Sequence, residues 1–470
     1  MLFTDAGFFL FLAVVFAGYY LPRTNGAWQI GWLLAASLFF YAYNEPWLLS
    51  LLLISAAITI FTSQQVMSAK SLAAKRGWAG LGVAANMSLL AFFKYAGFLY
   101  LAAFRREDGI GHFLLAIPLP IGISFYTFHG VSLLIDLLRM GPGIVRPQQD
   151  GNNAIYGVRS LLYLTFFPQL IAGPIVKARE FFPQIHRHDF RDINWPAACQ
   201  ALLIGYFLKS VIADNLQEQT FWLEYPYFTG LSALNLLVLL FGYSIQIFAD
   251  FAGYSLIAIG LARLFGYELP ENFRFPYIAE TFSEFWTRWH ISLSTWLREY
   301  LYIPLGGNRK GRGRTYLNLM TVMLLGGLWH GAAWSYAAWG TWHGMALMLE
   351  RLASGAAFYQ SGAAIVRAIR MALVFSVVTA GWLLFKLPDF SQVLQFVATL
   401  KTNLHIRPTL GGPMMILLYC SPVVAYHIHY LRQRACPVSL HGLRPAVFGL
   451  MLVMIALNSG PGAAFIYFQF

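Results

Sequence analysis

Blocks of apolar residues with little or no charge recur along this chain, and they limit it to a few architectures. They cover residues 8–21, 28–43, 47–63, 78–95, 113–138, 198–212, 231–248, 316–339, 368–385, 414–430 and 445–457. A helix needs roughly 20 apolar residues to cross about 30 Å of hydrocarbon. Within lipid every backbone N–H and C=O must be satisfied inside the protein, so only helices and closed barrels span it. A barrel strand alternates polar and apolar residues, and these blocks do not. The expectation is an all-α integral membrane protein with about 11 transmembrane helices. Composition agrees, at 58% hydrophobic and 11% charged residues. Soluble domains carry roughly 25% charged residues, and disordered chains need many charges and few apolar groups. Both classes are excluded.

The formal net charge is +12. In a soluble chain that excess would suggest nucleic acid. Here the cations gather in short loops, as they do on the cytoplasmic side of membrane proteins. The groups are Lys70, Lys75 and Arg76; Lys177, Arg179, Arg187 and Arg191; Arg309, Lys310, Arg312 and Arg314; and Arg432, Arg434 and Arg444. Three blocks precede the first group, which places the N-terminus outside the cytoplasm. The Arg105–Arg106 pair weakens assignments further on. Membrane lipid is therefore an expected partner and nucleic acid is not. The first cation is Arg23, so block 8–21 reads as a first span or signal anchor rather than a cleaved signal. Cys199, Cys420 and Cys436 form neither a CxxC pair nor a disulfide framework and read as incidental thiols. No linker or repeat interrupts the chain, so residues 1–470 read as one membrane domain.

Some apolar stretches are too broken to be simple spans. Residues 161–176 contain Pro168, Gly173 and Pro174, and proline removes a donor and breaks a helix. Residues 253–265 read as a short helix, and 286–301 as an amphipathic one. Irregular backbone at membrane depth survives only where protein or a water-filled cavity covers it. These stretches are expected to be re-entrant or interfacial helices that wall a cavity.

Titratable groups inside apolar blocks are costly and point to function. His330 leads, in Gly326-Gly327-Leu328-Trp329-His330-Gly331, where a continuous span would place it near mid-membrane. Glycine allows a ligand or a second backbone to come close, and a neutral imidazole can act as a general base. His290 follows, on a stripe with Trp286, Leu293 and Leu297 if 286–301 is one helix. Its plainer reading is an interfacial helix with tryptophan anchors. His343 lies 13 residues beyond His330, nearly on the opposite face of a continuous helix, and reads as structural. His129 reads as a satisfied core histidine. Asp250 either orients a histidine or, the favoured reading, caps a helix that starts at Phe251. Arg309, Lys310, Arg312 and Arg314 are a topology signal first, and also a means of attracting an anionic donor or lipid phosphates. The histidines lack the close spacing of zinc ligands, so no metal site is expected.

Taken in order, several motifs resemble the membrane-bound O-acyltransferase (MBOAT) family, in particular its branch that acetylates exopolysaccharides such as alginate. They are Pro120-Ile121-Gly122-Ile123-Ser124-Phe125-Tyr126-Thr127-Phe128, Phe167-Pro168-Gln169-Leu170-Ile171-Ala172-Gly173-Pro174-Ile175 and Asp250-Phe251-Ala252-Gly253-Tyr254-Ser255. With them stand Leu269-Pro270-Glu271-Asn272-Phe273, Trp289-His290-Ile291-Ser292-Leu293-Ser294, Tyr302-Ile303-Pro304-Leu305-Gly306-Gly307-Asn308, Gly327-Leu328-Trp329-His330-Gly331-Ala332 and Phe465-Ile466-Tyr467-Phe468-Gln469-Phe470. The resemblance implies a funnel of helices in the bacterial inner membrane, with His330 and His290 as the catalytic pair near its base. Trp329, Ser294 and Asp250 are supporting candidates. The implied reaction takes an acetyl group from a cytoplasmic donor such as acetyl-CoA, which is a substrate rather than a bound cofactor. A periplasmic acetyltransferase partner, within a polysaccharide synthesis and secretion complex, would place it on the polymer. The family often has an acidic residue after the Tyr-Ser pair; this chain has Leu256, so no pairing role carries over there. Two alternatives remain: D-alanyl transfer onto teichoic acid, and a proton-coupled transporter that uses the histidines as a relay.

Overall fold

The computed structural model describes residues 1–21, 25–104, 109, 120–145, 152–171, 173–435 and 441–462. Arg23, the Arg105–Arg106 pair, residues 113–119 of one apolar block, Ala172, Cys436 and the C-terminal motif Phe465–Phe470 lie outside the described residues. Among those described, the regular structure is helical. The principal helices are α1 (Ala6–Tyr20), α2 (Gly26–Ala42), α3 (Leu48–Ser68), α4 (Leu72–Phe104), α5 (Ile123–Met140), α6 (Asn153–Thr165) and α7 (Trp195–Tyr206). They continue as α8 (Ala233–Leu264), α9 (Phe282–Arg288), α10 (Ile291–Leu297), α11 (Gly311–His330), α12 (Trp334–Ala353), α13 (Ala364–Lys386), α14 (Gly411–Ala435) and α15 (Arg444–Leu457).

Among the described residues, 6 helices are long and apolar enough to cross a membrane, and α1, α2 and α15 are shorter apolar helices. The chain is thus a multi-pass membrane protein. In α8, 83% of the most apolar window is buried, against 6% in α4. A helix apolar on every side belongs inside protein, and one apolar but unburied faces lipid.

Two boundaries differ from the sequence reading. Residues 231–248 and 253–265 form one helix, α8, which runs unbroken through Asp250 and Gly253. A single glycine costs a helix only about 1 kcal/mol, and burial on all sides outweighs that. Asp250 is therefore a mid-helix residue and not a cap. Conversely, block 316–339 is not one span. Helix α11 ends at His330, Gly331 is extended, and α12 begins at Trp334.

The described residues form two compact units, Met1–Leu202 with Ser255–Pro270, and Leu203–Tyr254 with Glu271–Phe470. In the first, Asn86 of α4 is fully buried. It donates to Thr59 Oγ1 at 3.1 Å and accepts from Ser55 Oγ at 2.6 Å, joining α4 to α3. Such polar contacts hold helices together where lipid offers no competing donor. The proline-broken stretch 161–176 is covered by protein. Phe167 N donates to Ser37 Oγ at 3.1 Å, Val176 N to His129 Nε2 at 3.3 Å, and the Tyr163 hydroxyl to Val176 O at 2.8 Å. His129 is a core histidine, as read, but only its Nε2 is satisfied; Nδ1 has no hydrogen-bond partner among the described residues.

In the second unit, α11 and α12 form an antiparallel hairpin with backbone against backbone. A Cβ on Gly327 would collide with the carbonyl oxygen of Tyr336, and one on Gly340 with that of Met323. Gly340→Val should therefore cost at least 1–3 kcal/mol, the usual range for overpacking. Thermal unfolding in detergent should show a lower midpoint for Gly340→Val. Gly313→Ala, at a helical glycine with open space around it, should leave the midpoint unchanged or raise it, since alanine favours the helix by up to about 1 kcal/mol. Equal midpoints for both variants would disprove the close crossing.

Candidate active site

Helix α9 is anchored at its start and leads to His290. Thr281 accepts the Glu284 N–H at 3.0 Å, a capping bond of the expected kind. The Glu350 carboxylate, from α12, accepts the free N–H groups of Phe282 and of Ser283. Arg288 bonds Glu284 Oε1 through Nε at 2.9 Å and Nη2 at 2.7 Å. It also donates to Arg274 O at 3.0 Å, while Arg274 N donates back to Arg288 O at 2.9 Å. Helix α9 is thereby pinned to α12 and to the loop before it.

The amphipathic helix read over 286–301 is in fact broken at His290. Trp289 ends α9, and His290 stands in the left-handed region at φ 43° and ψ 55° before α10 begins. A non-glycine residue there costs roughly 1–2 kcal/mol. Asn272, itself buried, helps hold the turn. It accepts the Ile291 N–H on its carbonyl at 2.9 Å and the Ser292 hydroxyl on Oδ1 at 2.6 Å. Ser294, a supporting candidate, serves the same turn: its N–H reaches His290 O at 2.9 Å and its hydroxyl reaches Trp289 O at 3.2 Å. The break frees the imidazole from a helix face and turns it inward, where it is 1% exposed. Its ring meets Phe251 edge-on at 4.6 Å and Trp329 at 6.1 Å.

His330 is the last residue of α11. Its ring contacts Trp329 at 5.0 Å, Trp339 at 5.2 Å and Phe385 at 5.2 Å. Trp329 thus lies against both imidazoles. The break after His330 also brings in His343. A straight helix would turn His343 away, but the hairpin puts it 4.7 Å from the same Trp339 ring. Trp286 lies 5.2 Å away and Phe285 stacks at 6.2 Å. Neither ring nitrogen of His343 has a hydrogen-bond partner among the described residues.

Asp250 is not at a helix start, and its carboxylate pairs with Lys209 Nζ at 2.8 Å. Its neighbour Phe251 is the residue that reaches His290. Arg309, Lys310, Arg312 and Arg314 are all exposed. Lys310 is the N-cap of α11, and Arg312 and Arg314 lie in its first turns. His330 closes the other end of this 20-residue helix, about 30 Å away at 1.5 Å per residue. The cations therefore do not touch the histidines. Among the described residues no three His, Cys, Asp or Glu side chains gather as a metal site.

Among the buried polar residues that escaped the sequence reading are Asn272, Lys209 and His427. Asn272 was visible only inside a motif. Lys209 is a cation within block 198–212. His427, within block 414–430, is buried against Phe248 at 5.2 Å and Phe275 at 5.5 Å. The cost of a charged or titratable group in an apolar block was the available signal for the last two.

The geometry is two buried imidazoles sharing an indole wall, each at a helix break. The model of the membrane-bound O-acyltransferase family matches residues 158–384. The probable alginate O-acetylase AlgI of Pseudomonas putida is 37% identical over 417 residues, which cover 86% of this chain and 78% of that protein. The peptidoglycan O-acetyltransferase of Helicobacter pylori is 35% identical over 410 residues, covering 82% and 77%. The teichoic acid D-alanyltransferase of Bacillus subtilis is 29% identical over 234 residues, covering 47% and 56%.

The strain at His290 is testable without an activity assay. His290→Gly and His290→Ala both lose the ring, but only glycine relieves the left-handed backbone. His290→Gly should be about 1 kcal/mol the more stable of the two. Equal melting in detergent would mean that the turn stores no strain.

Proposed function

Because the chain belongs to the membrane-bound O-acyltransferase family and is an O-acyltransferase, we propose that it transfers acetyl groups for the O-acetylation of an exopolysaccharide such as alginate. The observation that carries this reading is the pair His290 and His330 on the Trp329 ring, in a chain similar over most of its length to alginate O-acetylases. The protein sits in the bacterial inner membrane. The donor is acetyl-CoA, taken from the cytoplasm, and a periplasmic acetyltransferase partner in the polysaccharide synthesis and secretion complex completes delivery.

His330 is the general base. Its neutral imidazole takes the proton of the acceptor hydroxyl as that oxygen attacks the thioester carbonyl. The carbon–sulfur bond then breaks, and the proton passes from the imidazolium to the departing thiolate. His290, whose ring also meets Trp329, donates a hydrogen bond to the developing oxyanion. The surrounding aromatic rings exclude water, which protects the thioester from hydrolysis. The cations at the start of α11 draw in the donor's phosphates. They lie too far from His330 to act on the reacting atoms, so they govern capture rather than chemistry.

His330→Ala should reduce labelled acetyl transfer from acetyl-CoA, measured with the periplasmic partner, by at least 10²-fold, the lower range for loss of a general base. Undiminished transfer by a folded variant would sink the assignment. Replacing Arg309, Lys310, Arg312 and Arg314 with Gln should raise the KM for acetyl-CoA about tenfold at low salt and leave kcat within twofold. Added salt should narrow the difference, because screening weakens exposed charges. The similarity to a teichoic acid D-alanyltransferase favours one other donor, a carrier-protein D-alanyl thioester. Transfer from that donor but not from acetyl-CoA would replace the acetyl reading.

A further inference from the structure

Lys209 is a buried cation for which the proposed chemistry has no use. It lies in the π-helical turn Phe207–Ala213 and is 1% exposed. Its Nζ stands 2.8 Å from Asp214 Oδ1 and 2.8 Å from Asp250 Oδ1, and both carboxylates are buried. Helix α8 is joined to this turn twice. One link is Asp250. The other is Gly253, where an added Cβ would fall 2.8 Å from both Gly205 O and Lys209 N. The wide turn is tied down as well. Gly460 N donates to Ser210 O at 2.8 Å, and Asn215 Nδ2 donates to Val211 O and to Asn458 O, each at 2.9 Å.

The residue after Asp250 is Phe251, which is fully buried. Its ring meets His290 at 4.6 Å and Phe273 at 5.0 Å, and Phe273 meets Trp289 at 5.0 Å. Any turn or slide of α8 therefore moves the surface on which the His290 ring rests. We propose that Lys209 is a positioning residue for His290, acting through Asp250 and Phe251. This inference rests on the reading of His290 and His330 as the acyl-transfer site. Without the ammonium, two buried carboxylates face each other, a costly arrangement in low dielectric. The helix can relieve it by turning Asp250 away, and that turn carries Phe251 off the imidazole. A misplacement of about 1 Å can cost 10²-fold in rate.

The test uses the purified full-length protein with its acyl donor and partner. Lys209→Met should lower kcat at least tenfold, with the donor KM within twofold of wild type. Lys209→Arg should keep at least a third of the wild-type kcat. Phe251→Leu should show a similar kcat loss, and the double variant Lys209→Met/Phe251→Leu should be no worse than the poorer single one, because both act on one contact. Wild-type kcat in folded Lys209→Met, or losses that multiply in the double variant, would overturn the proposal. If Lys209→Met does not fold, two milder variants decide it. Asp250→Asn should lower kcat tenfold, while Asp214→Asn, which keeps the Lys209–Asp250 pair, should stay within threefold of wild type. Equal losses in these two would show a general effect on the fold and overturn the proposal. A fully active His330→Ala would overturn the site reading and the proposal together. An inactive His330→Ala beside a fully active Lys209→Met would overturn the proposal alone.

Discussion

Where Gly327 meets the Tyr336 carbonyl and Gly340 meets that of Met323, α11 and α12 lie backbone to backbone with no side chain between them. In lipid the hydrophobic effect does not drive helices together, so close van der Waals contact of this kind must. The rest of the site follows from it. The hairpin can be this tight only if the chain turns within the three residues after His330. That turn puts His330 at a helix end, and it brings back Trp339, whose ring meets both His330 and His343. A side chain at either glycine would separate the helices and the aromatic wall with them.

The second constraint is the price of polarity out of water. This unit meets it in two ways. The ionic groups are paired at short range, as in Lys209 with its two carboxylates and Arg288 with Glu284. The imidazoles of His290, His330 and His343 are instead enclosed by rings, among them Phe251, Trp329, Trp339 and Phe385. Indole and phenyl groups give large apolar contact with few polar atoms to satisfy. The ion pairs fix the scaffold, and the rings enclose the histidines.

Much of this was legible in the sequence, because lipid allows few solutions. Uncharged blocks meant helices; His330 lay in one of them, and His290 in the amphipathic stretch 286–301. The motif order pointed to the family, and family membership replaces the transporter alternative with an O-acyltransferase. What misled was local. Helix periodicity assumes an unbroken helix, and both key histidines stand at breaks. The angle drawn from His330 to His343 therefore had no meaning, nor did the stripe through Trp286 and His290. Asp250 failed as a cap for the opposite reason. Asp is a preferred N-cap, yet a helix enclosed by protein runs through position 250. Lys209 hid inside a span because its two partners, Asp214 and Asp250, come from different helices, and only folding brings them together.

The length of α11 also limits how the gene can change. Each residue of a helix turns the next by about 100° and advances it 1.5 Å. Inserting or deleting one codon between Thr315 and Gly326 would rotate one end of α11 against the other. Gly327 and His330 could not both keep their places unless the basic end shifted instead. The exposed segment from Asn308 to Gly311, which ends in a glycine at φ 80°, can absorb added length without passing it on. Length variation in this hairpin should thus collect in that segment, while the helix itself changes by substitution alone.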